Sequence, residues 1–128
     1  MNGGCFCGGV KFNINRATLW CSHCHCSMCQ RIHGAAVVTW VGCDDDSVEI
    51  DDKDNKLRWF KSSSEAERGF CSHCGSPLFF RSSKWPGELH IARALVSGEL
   101  DREPASHAFY DTHVGWMSLA DQLPGKND

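Results

Sequence analysis

Arg68-Gly69-Phe70-Cys71-Ser72-His73-Cys74-Gly75-Ser76-Pro77-Leu78-Phe79-Phe80 is the stretch on which the fold turns. A C-x-x-C pair can open a helix in a βαβ unit, where its thiols do redox chemistry, or sit at a hairpin tip and offer two sulfurs to a metal. Here Gly75 directly follows the pair, where a glycine lets the chain turn back sharply, and Leu78 to Arg81 then reads as a strand. Cys71 and Cys74 therefore fall between strands, and a zinc knuckle is the preferred reading over a redox pair.

A second tight pair stands near the N-terminus, in Cys5-Phe6-Cys7-Gly8-Gly9. Its glycines allow the backbone to curl until both sulfurs face one point. Cys5 and Cys7 joined to Cys71 and Cys74 make a four-cysteine site, which is saturated and hence structural. Zinc in such a site contributes on the order of 10 kcal/mol to folding.

The densest stretch is Cys21-Ser22-His23-Cys24-His25-Cys26-Ser27-Met28-Cys29, with four cysteines and two histidines in nine residues. Cys24, Cys26 and Cys29 form a C-x-C-x-x-C set, and three ligands on one loop leave a fourth position for water, a histidine, Cys21 or a substrate thiol. Three thiolates outweigh the charge of a zinc ion and blunt its Lewis acidity. Such a site suits a soft sulfur ligand better than hydroxide. With their neighbours ligating, His23 and His25 are expected to point outwards. Cys43, alone, reads as a small buried hydrophobe.

The chain as a whole agrees with metal-stapled β structure. Nine cysteines cannot all pair within one chain, and the Met1-Asn2-Gly3-Gly4 start has neither the basic nor the apolar region of an export signal. The expected compartment is the reducing cytoplasm, where such a density favours metal. A formal net charge of −3 argues against nucleic acid as a partner. No apolar run approaches the roughly 20 residues of a membrane helix. At 128 residues the chain is expected to be a single domain, 1–128.

Alternating or β-branched runs predict strands at Val10–Ile14, Leu19–Cys21, Ala35–Val41, Val48–Ile50, Leu57–Lys61, Leu78–Arg81 and Leu89–Ala92. Ser106–Phe109 and Val114–Met117 are weaker strand candidates. Ser27 is placed as the cap of one helical turn through Met28 to Ile32, ended by Gly34. The acidic tract around Asp44-Asp45-Asp46 and Asp51-Asp52 lacks the glycine and glutamate of a calcium loop and reads as solvated turns. The fold class expected is mainly β: short antiparallel strands stapled by zinc sites.

These motifs together resemble the glutathione-dependent formaldehyde-activating enzymes, a group that includes centromere protein V-like domains. The likeness rests on Gly3 to Gly8, Cys24 to Arg31, Gly34-Ala35, Arg68 to Leu78, Gly98 to Asp101, Pro104 to His107, and Trp116 to Pro124, all in family order. The resemblance implies a β-tent fold with two zinc ions per chain. One is structural, on Cys5, Cys7, Cys71 and Cys74; the second, on Cys24, Cys26 and Cys29, carries the activity. That activity is condensation of glutathione with formaldehyde to S-hydroxymethylglutathione, classed among carbon–sulfur lyases. Partners are then a small thiol and an aldehyde. Arg31, Trp40 and His107 become candidates for a thiol-substrate pocket, and Arg68 either holds a glutathione carboxylate or pairs with an internal acid. The alternative is a non-catalytic zinc module for interaction or glutathione carriage; a thiol-redox or metal-handling protein is a third. Cys21 departs from the pattern. Turned away on a strand it leaves the second site open; turned in, it would close it.

Overall fold

The computed structural model describes residues 1–128, arranged as two β-sheets with one short helix. Strands take 38% of the residues against 12% in helix, so the fold is mainly β. β1 (Asn2–Gly4), β2 (Lys11–Ile14) and β5 (Val48–Asp51) make a three-stranded antiparallel sheet. The other strands are β3 (Trp20–Cys24), β4 (Val38–Asp44), β6 (Leu57–Lys61), β7 (Ala66–Cys71), β8 (Pro77–Ser82), β9 (Glu88–Ala92) and β10 (His107–Ala108). They form a seven-stranded sheet in the order β10-β3-β4-β9-β8-β7-β6. It is antiparallel except where β10 runs parallel to β3.

The strand β6 forms over the expected residues. The Ala35–Val41 strand instead begins at Val38 and runs on to Asp44, because Gly34 in the left-handed region (φ 61°) and the next residues are used to leave the helix. That helix, α1 (Ser27–His33), is capped by Cys26 rather than Ser27. Val114–Met117 is not a strand.

The strands β3, β4 and β9 of the seven-stranded sheet are buried on both faces, and strand alternation sorts their residues between them. Register pairs run Cys21–Val41, Val41–Ile91 and Ile91–Phe79 across four strands. This row faces the main core, with Phe12 and Ile14 of β2, Cys43 and Leu89. The neighbouring row pairs Trp20–Gly42, Gly42–His90, His90–Phe80 and Phe80–Arg68. It faces the other side, where Cys24, Cys29, Val38, Trp40 and Ala92 form a second, smaller cluster under α1. The protein thus has two apolar layers, and the sheet decides which cysteine joins which.

Gly42 shows how closely the second layer is packed. A Cβ at this position would sit 2.2 Å from Cε2 of the Trp20 ring that covers it. Trp20 is held there by its indole N–H, which donates to Glu88 Oε1 at 3.0 Å. Gly42→Ala is expected to lower unfolding free energy by about 2 kcal/mol, as overpacking of a filled site does. A urea titration at constant m-value checks it.

Candidate metal centre

Two knuckles from opposite ends of the chain meet at one edge of the main core. In the first, the Cys5 N–H donates to Val10 O (2.9 Å) and Gly8 takes a positive φ of 76°. In the second, the Cys71 N–H donates to Ser76 O (3.0 Å), Gly75 N–H to Cys71 O (2.8 Å), and Gly75 has φ 80°. The two are tied directly by the Phe6 N–H donating to Ser76 Oγ at 3.0 Å. As a result the sulfurs of Cys5, Cys7, Cys71 and Cys74 all lie within 4.8 Å of one another. Cys5 and Cys7 are 3.6 Å apart and Cys7 and Cys71 3.8 Å. A tetrahedral zinc with Zn–S near 2.3 Å sets its sulfurs about 3.8 Å apart, so the group fits such an ion.

The surroundings favour the anionic form of two of these sulfurs, Cys74 and Cys5. Burial raises the Cys74 thiol, yet the Ser76 hydroxyl and N–H outweigh it and hold it down to about 5. Burial likewise opposes ionisation of Cys5, but the Val10 N–H, 3.3 Å from its sulfur, and the Cys7 thiol keep it below the usual thiol range. The Gly9 N–H favours ionisation of Cys7, but burial and the three neighbouring sulfurs prevail and push its thiol up to about 11. Neighbouring sulfurs that ionise oppose the ionisation of Cys7, a conflict a dication would relieve.

On the second face, Cys24 ends β3, Cys26 caps α1 and Cys29 lies in its first turn. Cys24 Sγ and Cys29 Sγ stand 3.7 Å apart, again a tetrahedral edge. Cys26 interacts with both: hydrogen bonds from Cys24 and Cys29 hold its thiol far below the ordinary range, and Cys24, the donor, is pushed far above it. Cys21 does not join them. Three residues from Cys24 on one strand, it points to the opposite face and packs in the main core, where burial raises its thiol. Cys43 lies in the same core and, through burial, is pushed up to about 12.

A model of the family described as "Glutathione-dependent formaldehyde-activating enzyme" matches residues 1–112. The chain belongs to this family. A protein from Halomonas elongata named "Putative glutathione-dependent formaldehyde-activating enzyme" is 24% identical over 127 residues, covering 93% of this chain and 80% of that one. A crystal structure of a Rhodobacter sphaeroides protein superposes with a TM-score of 0.66 at 19% identity, covering 98% of this chain and all of the other. That similarity is one of fold.

Other candidate residues of this family member are scattered more widely than the sequence suggests. Trp40 is buried beside Cys24 and Cys29. Arg31 lies on the exposed side of α1. His107 pairs in register with His23, so it faces away from Cys24 and lines a different cleft of about 340 Å³. His25 does not point outwards: it is 4% exposed. The following C-terminal segment covers it, because β10 hydrogen-bonds along this edge. Its Nε2 lies 2.8 Å from His107 Nδ1, and His107 Nε2 lies 2.8 Å from Asp121 Oδ1. Asp121 carries no sequence signal beyond its place in the matching Trp116–Pro124 segment. Arg68 has no acidic partner; it is buried and its Nη1 donates to Cys29 Sγ at 3.5 Å.

The second layer also sets an acid limit on stability. His33 packs edge-on against Trp40, and burial, then the Arg68 guanidinium, lowers its pKa to about 4. Burial likewise holds His23, His25 and His90 below the ordinary imidazole range. The unfolded chain binds a proton at His33 near pH 6.5 that the folded chain refuses until about 4. Its contribution to stability is therefore complete above pH 6.5 and lost progressively as pH falls to 4, by about 3 kcal/mol before solvent screening of this partly exposed ring reduces it. His33→Gln is expected to flatten this part of the pH–stability curve in urea titrations at pH 7, 5.5 and 4.5.

Proposed function

We propose that this protein is a zinc-dependent enzyme of the S-hydroxymethylglutathione synthase type, acting on glutathione or a related thiol and on formaldehyde or a related aldehyde adduct in the cytoplasm. The observation that supports the reading is a cluster of three cysteines on the second face, one short of saturating a tetrahedral ion. Cys24, Cys26 and Cys29 are gathered there, while Cys21, the cysteine that could complete the set, is committed to the main core. Cys5, Cys7, Cys71 and Cys74 would hold a structural zinc and the three-cysteine set a second one.

A zinc held by three thiolates supplies an affinity for a fourth, soft sulfur and keeps that sulfur ionised near neutral pH. The residues around it do the rest. Trp40 and the buried sheet face behind Cys24 and Cys29 exclude water from one side of the site. Arg31, on the solvent side of the helix, is available to a substrate carboxylate. In the reaction the thiolate sulfur forms a C–S bond to the aldehyde carbon, the carbonyl π pair moves to oxygen, and that oxygen takes up a proton. Because the uncatalysed addition is itself easy, most of the acceleration comes from holding both reactants together.

Exchange NMR on glutathione and formaldehyde at equilibrium tests this. Catalytic amounts of protein carrying two zincs are expected to raise the exchange rate between free and S-hydroxymethyl glutathione at least tenfold. A rate equal to the protein-free control, with glutathione nevertheless bound, would leave a carrier module instead.

A further inference from the structure

Arg68 is the one buried arginine or lysine, and no carboxylate pairs with it. It is 4% exposed, and none of the ion pairs in the protein involves it. Its position follows from register. Arg68 on β7 lies in the row that begins at Trp20 and runs on to Phe60 of β6, so it must project onto the second face. There its Nε donates to Ser62 Oγ at 3.2 Å, its Nη1 donates to Cys29 Sγ at 3.5 Å, and its Cζ lies 4.9 Å from the centre of the Phe80 ring. Glu88, on the same face, is engaged by the Trp20 indole and by His90. The neighbouring imidazole, His33, is held neutral in the physiological range.

A guanidinium cannot shed its proton, so a buried one needs an anion. The sulfurs of Cys24, Cys26 and Cys29 are the anion source in this layer. The balance runs both ways: three thiolates on a divalent ion leave one negative charge in an apolar cluster, and a fourth thiolate from a substrate would add another. Such a centre is poorly tolerated and poorly receptive unless a fixed positive charge lies against it.

We propose that Arg68 is the counter-charge of the Cys24–Cys26–Cys29 centre, the residue that allows a metal trithiolate to form in a buried layer and to accept an anionic thiol. It touches a ligand sulfur rather than metal or substrate, so it is a positioning residue. This proposal rests on the second metal site of the preceding section. Partners of metal ligands typically contribute 10- to 100-fold to metal affinity.

The test uses the full chain and zinc alone. Competition against a chromophoric chelator measures both zinc affinities in wild type, Arg68→Met and Arg68→Lys. Arg68→Met is expected to weaken the second zinc at least tenfold and leave the first unchanged, while Arg68→Lys, with its charge but without the planar fork, falls between. Unchanged affinity for both zincs in Arg68→Met overturns the proposal. If Arg68→Met does not fold, the Arg68→Met/Cys29→Ala double variant decides: removing the excess thiolate restores folding if the pair is a charge pair, and failure to restore it counts against the idea. A wild type that binds only the first zinc removes the second site itself, and the counter-charge with it; that result is told apart by appearing before any substitution is made.

Discussion

Replacing Cys71 by serine is expected to abolish cooperative folding. Cys71 is fully buried at the end of β7, in contact with the main core, and its sulfur lies 3.8 Å from that of Cys7. Serine removes a ligand that zinc binds strongly and leaves a hydroxyl in an apolar site. A structural zinc contributes on the order of 10 kcal/mol, which matches the whole stability of a small domain. The loss also has a topological side. Cys5 and Cys7 come from the loop between β1 and β2, Cys71 from the end of β7 and Cys74 from the turn into β8, and these strands belong to different sheets. Without the metal, the three-stranded sheet keeps its core contacts but loses this covalent tie to the larger one. Far-UV circular dichroism across a thermal ramp, with zinc counted per chain, reads the outcome. A Cys71→Ser protein that melts cooperatively near the wild-type temperature would show that the four-cysteine group does not hold a structural ion.

Cys26→Ser is expected to do the opposite: keep the fold, lose one zinc, and drop exchange of the glutathione–formaldehyde adduct to the uncatalysed rate, a loss of at least tenfold. The fold should survive for a local reason. Cys26 is only half-buried, and it occupies the N-cap of α1 without making a side-chain cap bond. Serine is among the best N-cap residues, so the substitution offers the helix about 0.5–1 kcal/mol while removing a metal ligand. The zinc count should fall by one with the melting temperature within a few degrees of wild type. Full exchange activity in a Cys26→Ser protein that carries one zinc would sink the assignment of chemistry to this loop. Comparing the Cys71 and Cys26 variants would tell the proposed structural centre from the proposed catalytic one.

The strands that the sequence revealed best are those whose side chains alternate on one buried face, such as Phe12 and Ile14 of β2. The Leu57–Lys61 strand was equally plain. The two knuckles were plain as well, because a C-x-C or C-x-x-C turn closed by glycine brings its two sulfurs together through local geometry alone. Burial on both faces made β4 harder to bound, since Val38 to Cys43 shows no alternation of polarity to mark its ends. β10 is only two residues long and exists because His107 and Ala108 find a parallel partner in β3, which no local pattern announces.

The sequence by itself determined the grouping of candidate ligands into two pairs and a triplet and the mainly β class, since all of these depend on neighbours within a few residues. Tertiary structure decided which face each residue serves. On a strand, a separation of three puts Cys21 and Cys24 on opposite sides of the sheet, so Cys21 goes to the core. Cross-strand register carried Arg68, 39 residues from Cys29, to within a hydrogen bond of its sulfur. The same register, on the other face, joined His25 to His107 and Asp121. Spacing along the chain shows what a loop can hold, but the charge that balances it and the side from which it is reached come from partners that only pairing of distant strands brings near.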